Sequence, residues 1–316
     1  METKIKKIVG IDISKLTIDV YDGNKHCNYP NNYVGFKALT KENKGHYVME
    51  ATGNYHIQLA TYLNAQGYLV SVVNPLIIKR FSQMKLIRAK TDKKDAMMIF
   101  DFAQMNKLAL WQAPKKYLVQ VKQIFTAIDL MLKHRTASKN QLEAFDQMDI
   151  TGKEVIIAIN KQIKALTATI SLLEQKAERL ILENVKTLYT KLKTIPSIGK
   201  KSAMLLIVVT NEFKNFVTTK QLASYIGISP RVYKSGTSIN GKGSICKMGM
   251  SQIRKTLYMS SLSAIRYNSA CKKMFDRLTD NGKPKKLALV AVMNKLLKQA
   301  FAIGTKLEDY YEVNLN

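Results

Sequence analysis

Cysteine is scarce in this chain of 316 residues, and its three copies stand far apart. Cys27, Cys246 and Cys271 form no CxxC pair, and their number is odd. A disulfide framework needs an even set of cysteines, and a zinc cluster needs closely spaced pairs. The sequence therefore predicts reduced thiols, as in a cytoplasmic protein.

Long apolar runs are also missing. A transmembrane helix needs about 20 predominantly apolar residues in a row, and the unbroken runs here are far shorter. Asp12 interrupts the amino-terminal apolar stretch before it reaches the length of a signal core. We therefore expect neither export nor a membrane partner, and a cytoplasmic, nucleoid-associated location in a bacterium.

Acidic residues are few, since 23 Asp and Glu stand against 50 Lys and Arg, giving a formal net charge of +27. The basic excess is spread along the chain instead of being gathered on one amphipathic helix. This distribution favours an extended polyanion over a membrane surface, so a nucleic acid is the expected partner. The alternative is a solubilising, lysine-rich surface without a ligand.

Four of these few acids stand where a metal site on an α/β sheet would need them. Asp12 lies within a short apolar run and Glu50 ends another, and both runs predict buried strands. Burying a carboxylate there is costly unless it is paired or bound to a cation. Asp92 and Asp95 share one face at the start of a helical pattern, whereas Asp19 is expected to face solvent.

Hard divalent ions such as Mg²⁺ take carboxylate oxygens as ligands, and phosphodiester chemistry uses such ions to neutralise the scissile phosphate. The four acids therefore predict a magnesium site of the RNase H-like type. The alternative is that Asp92 caps a helix while Asp95 and Glu50 are solvated.

The residue pattern predicts three parts. Residues 1–112 alternate strand-like and helix-like runs, which is typical of a mixed sheet with helices on its faces. Residues 113–192 are helical, and an a/d seam indicates a coiled-coil hairpin or, alternatively, a plain helical bundle. Residues 193–316 are mainly helical. Within them, Thr194–Ala203 has the layout of a helix-hairpin-helix phosphate grip or of an ordinary turn between helices.

Several short motifs resemble those of a known family. They are Gly10–Lys15, Met49–Gly53, Arg88–Ala96, Ala223–Arg231 and Gly243–Gly249. Together they closely resemble the DEDD transposases of the insertion-sequence family called IS-one-ten, relatives of the Piv DNA invertases. The resemblance covers almost the full chain, and the order of the motifs agrees.

This resemblance implies a RuvC-like (RNase H-like) metal nuclease domain, joined through a coiled-coil arm to a mainly helical transposase domain. It implies that Asp12, Glu50, Asp92 and Asp95 hold Mg²⁺. The serine most similar to the family's nucleophile is Ser235, which would form a covalent 5′-phosphoserine link to DNA. Without the resemblance, the sequence predicts only that Ser235 is part of a turn.

The resemblance also implies target and donor DNA, an element-encoded guide (bridge) RNA that pairs with both, and assembly into dimers and tetramers. Basic residues near the motifs are candidate phosphate contacts: Lys90, Lys93, Lys94, Arg231, Lys234, Lys242 and Lys247. Two alternatives stay open. One is a structure-selective nuclease that uses the acids and water, and the other is a non-enzymatic nucleic-acid-binding protein.

Overall fold

A computed structural model describes most of the chain, namely residues 7–86, 91–148, 152–231, 234–235, 239–240, 244–246 and 249–311. The chain divides into two compact units, Met1–Ala113 and Pro114–Asn316. The three-domain division, with a helical arm separated from a transposase domain at residue 192, stays a prediction.

One mixed sheet forms the centre of the first unit. Its strands are β1 (Ile8–Ile13), β2 (Thr17–Tyr21), β3 (His26–Pro30), β4 (His46–Glu50) and β5 (Leu69–Val73). The strand order is β3-β2-β1-β4-β5, with β1, β4 and β5 parallel and β2 antiparallel to both of its neighbours. Since β1 and β4 are parallel neighbours, their carboxyl ends open at the same edge. This architecture is consistent with the predicted RNase H-like domain.

Helices cover both faces of that sheet. They are α1 (Tyr33–Glu42), α2 (His56–Ala65), α3 (Pro75–Met84) and α4 (Asp92–Met105). Leu59 of α2 packs in one apolar core with Ile11, while Ile99 of α4 packs in a second core with Val48. Because alternate side chains of a strand point to opposite faces, the sheet separates these two cores.

Two of these elements, β3 and α1, were not expected from the sequence pattern. The β3 segment is short of apolar residues, so it lacks the alternation that marks a strand. Helix α1 begins at a local signal, because the side chain of Asn32 accepts hydrogen bonds from the backbone N–H groups of Val34 and Gly35.

The second unit is mostly helical. Its helices are α5 (Lys116–Asp146), α6 (Lys153–Lys193), α7 (Lys200–Thr210), α8 (Thr219–Ile226), α9 (Ser251–Tyr267), α10 (Ser269–Asp280) and α11 (Lys285–Lys306). Four two-residue strands lie between α8 and α9: β6 (Pro230–Arg231), β7 (Lys234–Ser235), β8 (Ile239–Asn240) and β9 (Ser244–Ile245). Strand β6 pairs with β9, and β7 pairs with β8. Leu206, Leu257 and Leu296 are fully buried in the common core of this unit.

Helices α5 and α6 pack along each other. Ile170 and Ala177 of the predicted seam are buried. The other seam residues of α6 are half-buried, namely Ile156, Ile159, Ile163, Leu166, Leu173 and Leu180. Arg135 of α5 donates a hydrogen bond to the hydroxyl of Thr167 on α6, at 3.4 Å. Val185 leaves helical geometry, with φ −149° and ψ 40°, and kinks α6. The coiled-coil interpretation of this pair stays a prediction.

Helices α6 and α11 are long and apolar enough to cross a membrane by length and composition alone. Polar residues interrupt both helices, so neither shows as one unbroken apolar run in the sequence. Half of the apolar stretch of α11 is buried, as in a core helix of a soluble protein, whereas 6% of the stretch in α6 is buried. These two helices are weak support for a membrane span, and α6 instead presents an exposed apolar surface.

Candidate metal centre

Helix α4 lies tightly against β1 at Gly10. A Cβ atom on Gly10 would lie 2.5 Å from the carbonyl oxygen of Ala96 and 2.6 Å from the backbone nitrogen of Phe100. Both atoms belong to the backbone of α4, so glycine is needed for this close approach. Side chains two residues apart share one face of a strand, so Asp12 points toward the same helix.

Three predicted acids meet at this point. One carboxylate oxygen from each of Asp12, Asp92 and Asp95 lies within 4.8 Å of the other two. The hydroxyl of Thr91 accepts a hydrogen bond from the backbone N–H of Lys94 and thereby begins α4, so both helical acids lie in its first turn. Asp92 is exposed, while Asp12 and Asp95 are half-buried.

The fourth acid, Glu50, ends β4 beside this cluster. The parallel register pairs Ile11 with Met49, which sets Glu50 next to Asp12 at the carboxyl edge of the sheet. Its charge contributes to the raised pKa of Asp12, so the two carboxylates are close enough to interact. The hydroxyl of Thr52 also donates to Glu50, at 3.4 Å.

Crowding of negative charge changes the acidity of Asp12. The pKa of Asp12 is raised from 3.8 to about 6, first by burial and then by the charges of Asp95, Glu50 and Asp92. A hydrogen bond from the backbone N–H of Ile13, at 3.1 Å, acts in the opposite direction. A divalent cation would relieve this repulsion, and carboxylate oxygens are the ligands that Mg²⁺ prefers. The residues present therefore fit a hard divalent ion.

The expectation that Asp19 faces solvent is wrong. Asp19 is 7% exposed, stands opposite Asp12 in the β1–β2 register, and has its carboxylate 2.9 Å from Nε2 of His26. The reason is the unexpected strand β3, which pairs with β2 in the sheet and supplies this histidine. No sequence pattern indicates a role for His26, because the contact joins residues whose pairing is visible only once the sheet is formed.

The predicted phosphate-binding and nucleophilic residues are spread over both units. Lys93 and Lys94 are exposed in the first turn of α4, next to the acids. The backbones of Arg231, Lys234 and Ser235 lie in the short strands β6 and β7. Three further candidates lie outside the described residues: Lys90, Lys242 and Lys247.

The structure also reveals a lysine-lined cavity in the second unit that the sequence pattern did not indicate. An open cavity of about 650 Å³ lies among α5, α7 and α9, with Lys133, Lys201 and Lys255 in its wall. Two of these lysines also contact acids, Asp129 at 3.0 Å and Glu174 at 3.7 Å. The lysines stand far apart in the sequence, so no local motif could have identified them. Asp129 lies in the same wall, so Lys255 is the lysine there that makes no ion pair with the residues that the structure describes.

The first unit therefore combines a mixed sheet with an acidic cluster at its carboxyl edge, which is consistent with an RNase H-like domain that carries a candidate metal site. Comparison with protein families agrees with this class. The family model of DEDD transposases of the IS110 type, described as a transposase, matches residues 9–148. The model described as the Transposase IS116/IS110/IS902 family matches residues 189–276.

Individual relatives extend the similarity over nearly the whole chain. A pilin gene-inverting protein of Moraxella lacunata is 32% identical, and one of Moraxella bovis is 31% identical, each over 94% of this chain and 95% of the relative. The transposase for insertion sequence element IS1111A of Coxiella burnetii is 22% identical over 96% of this chain and 91% of its own length. The chain belongs to the Transposase IS116/IS110/IS902 family, which confirms the resemblance seen in the motifs.

Proposed function

We propose that this protein is a Mg²⁺-dependent, RNA-guided DNA transposase or recombinase. The observation that carries the proposal is the convergence of Asp12, Asp92 and Asp95, with Glu50 beside them, in a chain of this family. The relatives named for inverting a pilin gene and for transposing an insertion sequence support DNA strand cleavage and exchange as the reaction.

The four acids would hold the metal ion, which when bound neutralises charge on the scissile phosphate and activates the attacking oxygen. The protein's own contribution is to fix these carboxylates, and the close contact of α4 with β1 at Gly10 does so. Lys93 and Lys94, exposed beside the acids, attract the DNA backbone toward the site.

We assign the nucleophile to Ser235, which lies within residues 189–276 that match the family's transposase model. Its Oγ attacks phosphorus and forms a new P–O bond while the P–O3′ bond breaks. The 5′ end of the DNA is thereby joined to serine, and the displaced oxygen leaves as a 3′-hydroxyl that has taken up the serine proton. Attack by the 3′-hydroxyl of another strand reverses these bond changes and rejoins the DNA in a new order.

Sequence choice would belong to the guide RNA, because pairing of RNA with target and donor DNA selects the site while the protein contacts backbones. The net charge of +27 supports simultaneous binding of two polyanions. Lys255, in the wall of the cavity of the second unit, offers one additional contact for a phosphate. A structured RNA transcribed from DNA flanking the gene should therefore copurify with the protein.

Self-association into dimers and tetramers would bring the acids and Ser235 of different copies to the same DNA. The exposed apolar side chains of α6, such as Ile157 and Leu172, support this assembly. Covering the large apolar residues of a helix with a second copy removes them from water and so stabilises the assembly.

The decisive experiment is strand exchange between donor and target plasmids by protein supplied with its copurified RNA. We expect Ser235→Ala and Asp12→Ala each to reduce exchange by about a thousandfold or more, while RNA binding is kept. Ser224→Ala, which changes an exposed serine on α8, is the matched control. Strand exchange that persists in Ser235→Ala would remove the covalent mechanism and leave the metal site standing.

A structure-selective nuclease that uses water is the second candidate, because the acid cluster needs no residue of the second unit to be complete. Trapping of the reaction separates the two enzymes. A recombinase leaves a protease-sensitive adduct between Ser235 and a 5′ DNA end, whereas a nuclease leaves free ends. If calorimetry finds no divalent-ion binding and the acids can be replaced without loss of function, a non-enzymatic binding role replaces both.

A further inference from the structure

Large apolar side chains are exposed on one side of the first unit. Leu16 is 74% exposed, Tyr33 65%, Val34 75% and Tyr55 45%. We propose that these four residues, the tyrosine surface, stack against unpaired bases of the DNA strand whose phosphate is held at the acidic cluster. This inference rests on the proposed recombination, because strand exchange requires bases to lose their partners near the cut.

The tyrosine surface lies close to the acids along the chain. Leu16 follows Asp12 by four residues, and Tyr55 follows Glu50 by five. Even a fully extended chain would place these pairs at most roughly 14 Å and 18 Å apart. A DNA strand bound at the acids therefore reaches the tyrosine surface within a few nucleotides.

Hydrogen bonds of Asn31 connect the part of the surface around Leu16 with the part around Tyr55. Its side-chain nitrogen donates to the carbonyl oxygen of Ser14 at 2.9 Å and to that of Tyr55 at 3.5 Å. Its backbone N–H donates to the carbonyl oxygen of Leu16 at 2.8 Å. The turn after β1 and the start of α2 are therefore tied together at the edge of the sheet that carries the acids.

The ring of Tyr33 is held in place before any ligand binds. Its centroid lies 5.6 Å from that of Phe36 and 6.2 Å from that of Tyr62. The cap formed by Asn32 fixes the first turn of α1 through the N–H of Val34, at 3.0 Å. A preordered ring loses little conformational entropy on binding, which favours stacking.

Charge favours a DNA strand over a protein as the occupant. Lys15 and Lys37 flank the surface, are exposed, and make no ion pair with the residues that the structure describes. Aromatic faces combined with nearby cations are the recurring features of single-strand binding sites. A second copy of a chain of charge +27 would instead bring like charge against these lysines.

The hydroxyls of Tyr33 and Tyr55 make no hydrogen bond within the part of the chain that the structure describes, so neither ring is committed to a structural contact through its polar end. Every base has a stackable face, so we expect the surface to tolerate different DNA sequences, in keeping with sequence choice by another component.

The test measures binding of full-length protein to a single-stranded DNA oligonucleotide containing 2-aminopurine, in buffer with EDTA. Removing metal keeps the measurement independent of catalysis. We expect Tyr33→Ala and Tyr55→Ala each to weaken binding about tenfold and to abolish quenching of the fluorescent base, and Tyr→Trp at either position to restore both. Tyr267→Ala, at a 69% exposed tyrosine of the second unit, should change neither.

Wild-type affinity and quenching in both alanine variants would overturn the proposal. So would a change of oligomeric state without loss of DNA binding, which would assign the surface to a second copy, or a tyrosine-dependent preference for RNA of the same sequence. Asp12→Ala should retain quenching. If wild-type protein recombines DNA while the tyrosine variants bind normally, this proposal alone fails. If wild-type protein never recombines DNA, but the tyrosine variants bind single-stranded DNA more weakly than wild type, the proposed function fails and the binding role of the tyrosine surface is kept.

Discussion

Asp12 is a charged side chain where the sheet would accept an apolar one. Its neighbours Val9, Ile11 and Ile13 are buried, and three further carboxylates act on it. Its raised pKa means that folding favours the protonated form. The resulting cost is absent below pH 3.8, grows as the pH rises, and is complete above about pH 6. Residues that carry such a cost occur mostly where function requires them.

This electrostatic cost predicts that Asp12→Asn stabilises the metal-free protein. In EDTA at pH 8 the variant should melt a few degrees above wild type, and the difference should become small near pH 4, where Asp12 of the folded wild type is neutral and its unfolded form is about half protonated. Added Mg²⁺ should raise the melting temperature of wild type but not of the variant. Thermal denaturation at both pH values checks this, with the exposed Asp276→Asn as control.

A variant that is less stable than wild type at pH 8 in EDTA would contradict this account. It would mean that the repulsion from the other acids is already compensated within the fold. Equal Mg²⁺ stabilisation of both proteins would show that Asp12 contributes no ligand.

Helix α4 is the element that assembles the site. Thr91 fixes where it starts, its first turn carries Asp92 and Asp95, and its backbone meets β1 at Gly10. Met98 and Ile99 are buried on the same helix and hold it to the sheet. The position of two of the four acids relative to Asp12 therefore depends on how closely one helix approaches one strand.

Gly10→Ala should separate these elements. The new Cβ would clash with two backbone atoms of α4, which cannot rotate away as a side chain can, so the helix must move. We expect a loss of about 1–3 kcal/mol in the free energy of unfolding, measured by urea denaturation, and weaker Mg²⁺ binding by calorimetry. Gly199→Ala is the control, since a Cβ there meets nothing within 4 Å. Unchanged Mg²⁺ affinity in Gly10→Ala would mean that the acids do not depend on this contact.

What the sequence predicted at this scale was local. Each of the four acids is recognisable from its near neighbours in the sequence. Asp12 lies within an apolar run, Glu50 ends another, and Asp92 and Asp95 stand three residues apart on a helix. The burial of Asp19 by His26 and the lysine-lined cavity arise from segments far apart in the chain. No periodicity records such contacts, and the weak pattern of β3 concealed the strand that explains the first of them.

At the scale of the whole molecule, two opposing forces act on self-association. A net charge of +27 makes copies repel each other, and the apolar surface of α6 favours contact between them. Bound nucleic acid would neutralise part of the charge and leave the apolar attraction in place. We therefore expect assembly to be stronger with nucleic acid bound, and weaker at low salt when the protein is alone.

The α6 surface makes this expectation testable with one double variant. Ile157 and Leu172 are 66% and 65% exposed, and their spacing of fifteen residues puts them about 60° apart around the helix, away from the seam with α5. In Ile157→Glu/Leu172→Glu, burying two carboxylates in an interface is unfavourable, so the variant should sediment as a monomer under conditions in which wild type is dimeric or larger. Val217→Glu, which changes an 86% exposed residue elsewhere in the second unit, should leave assembly unchanged. A charge disrupts assembly only where the interface would bury it. If the oligomer persists in the double variant and dissociates in Val217→Glu, the interface therefore lies away from α6.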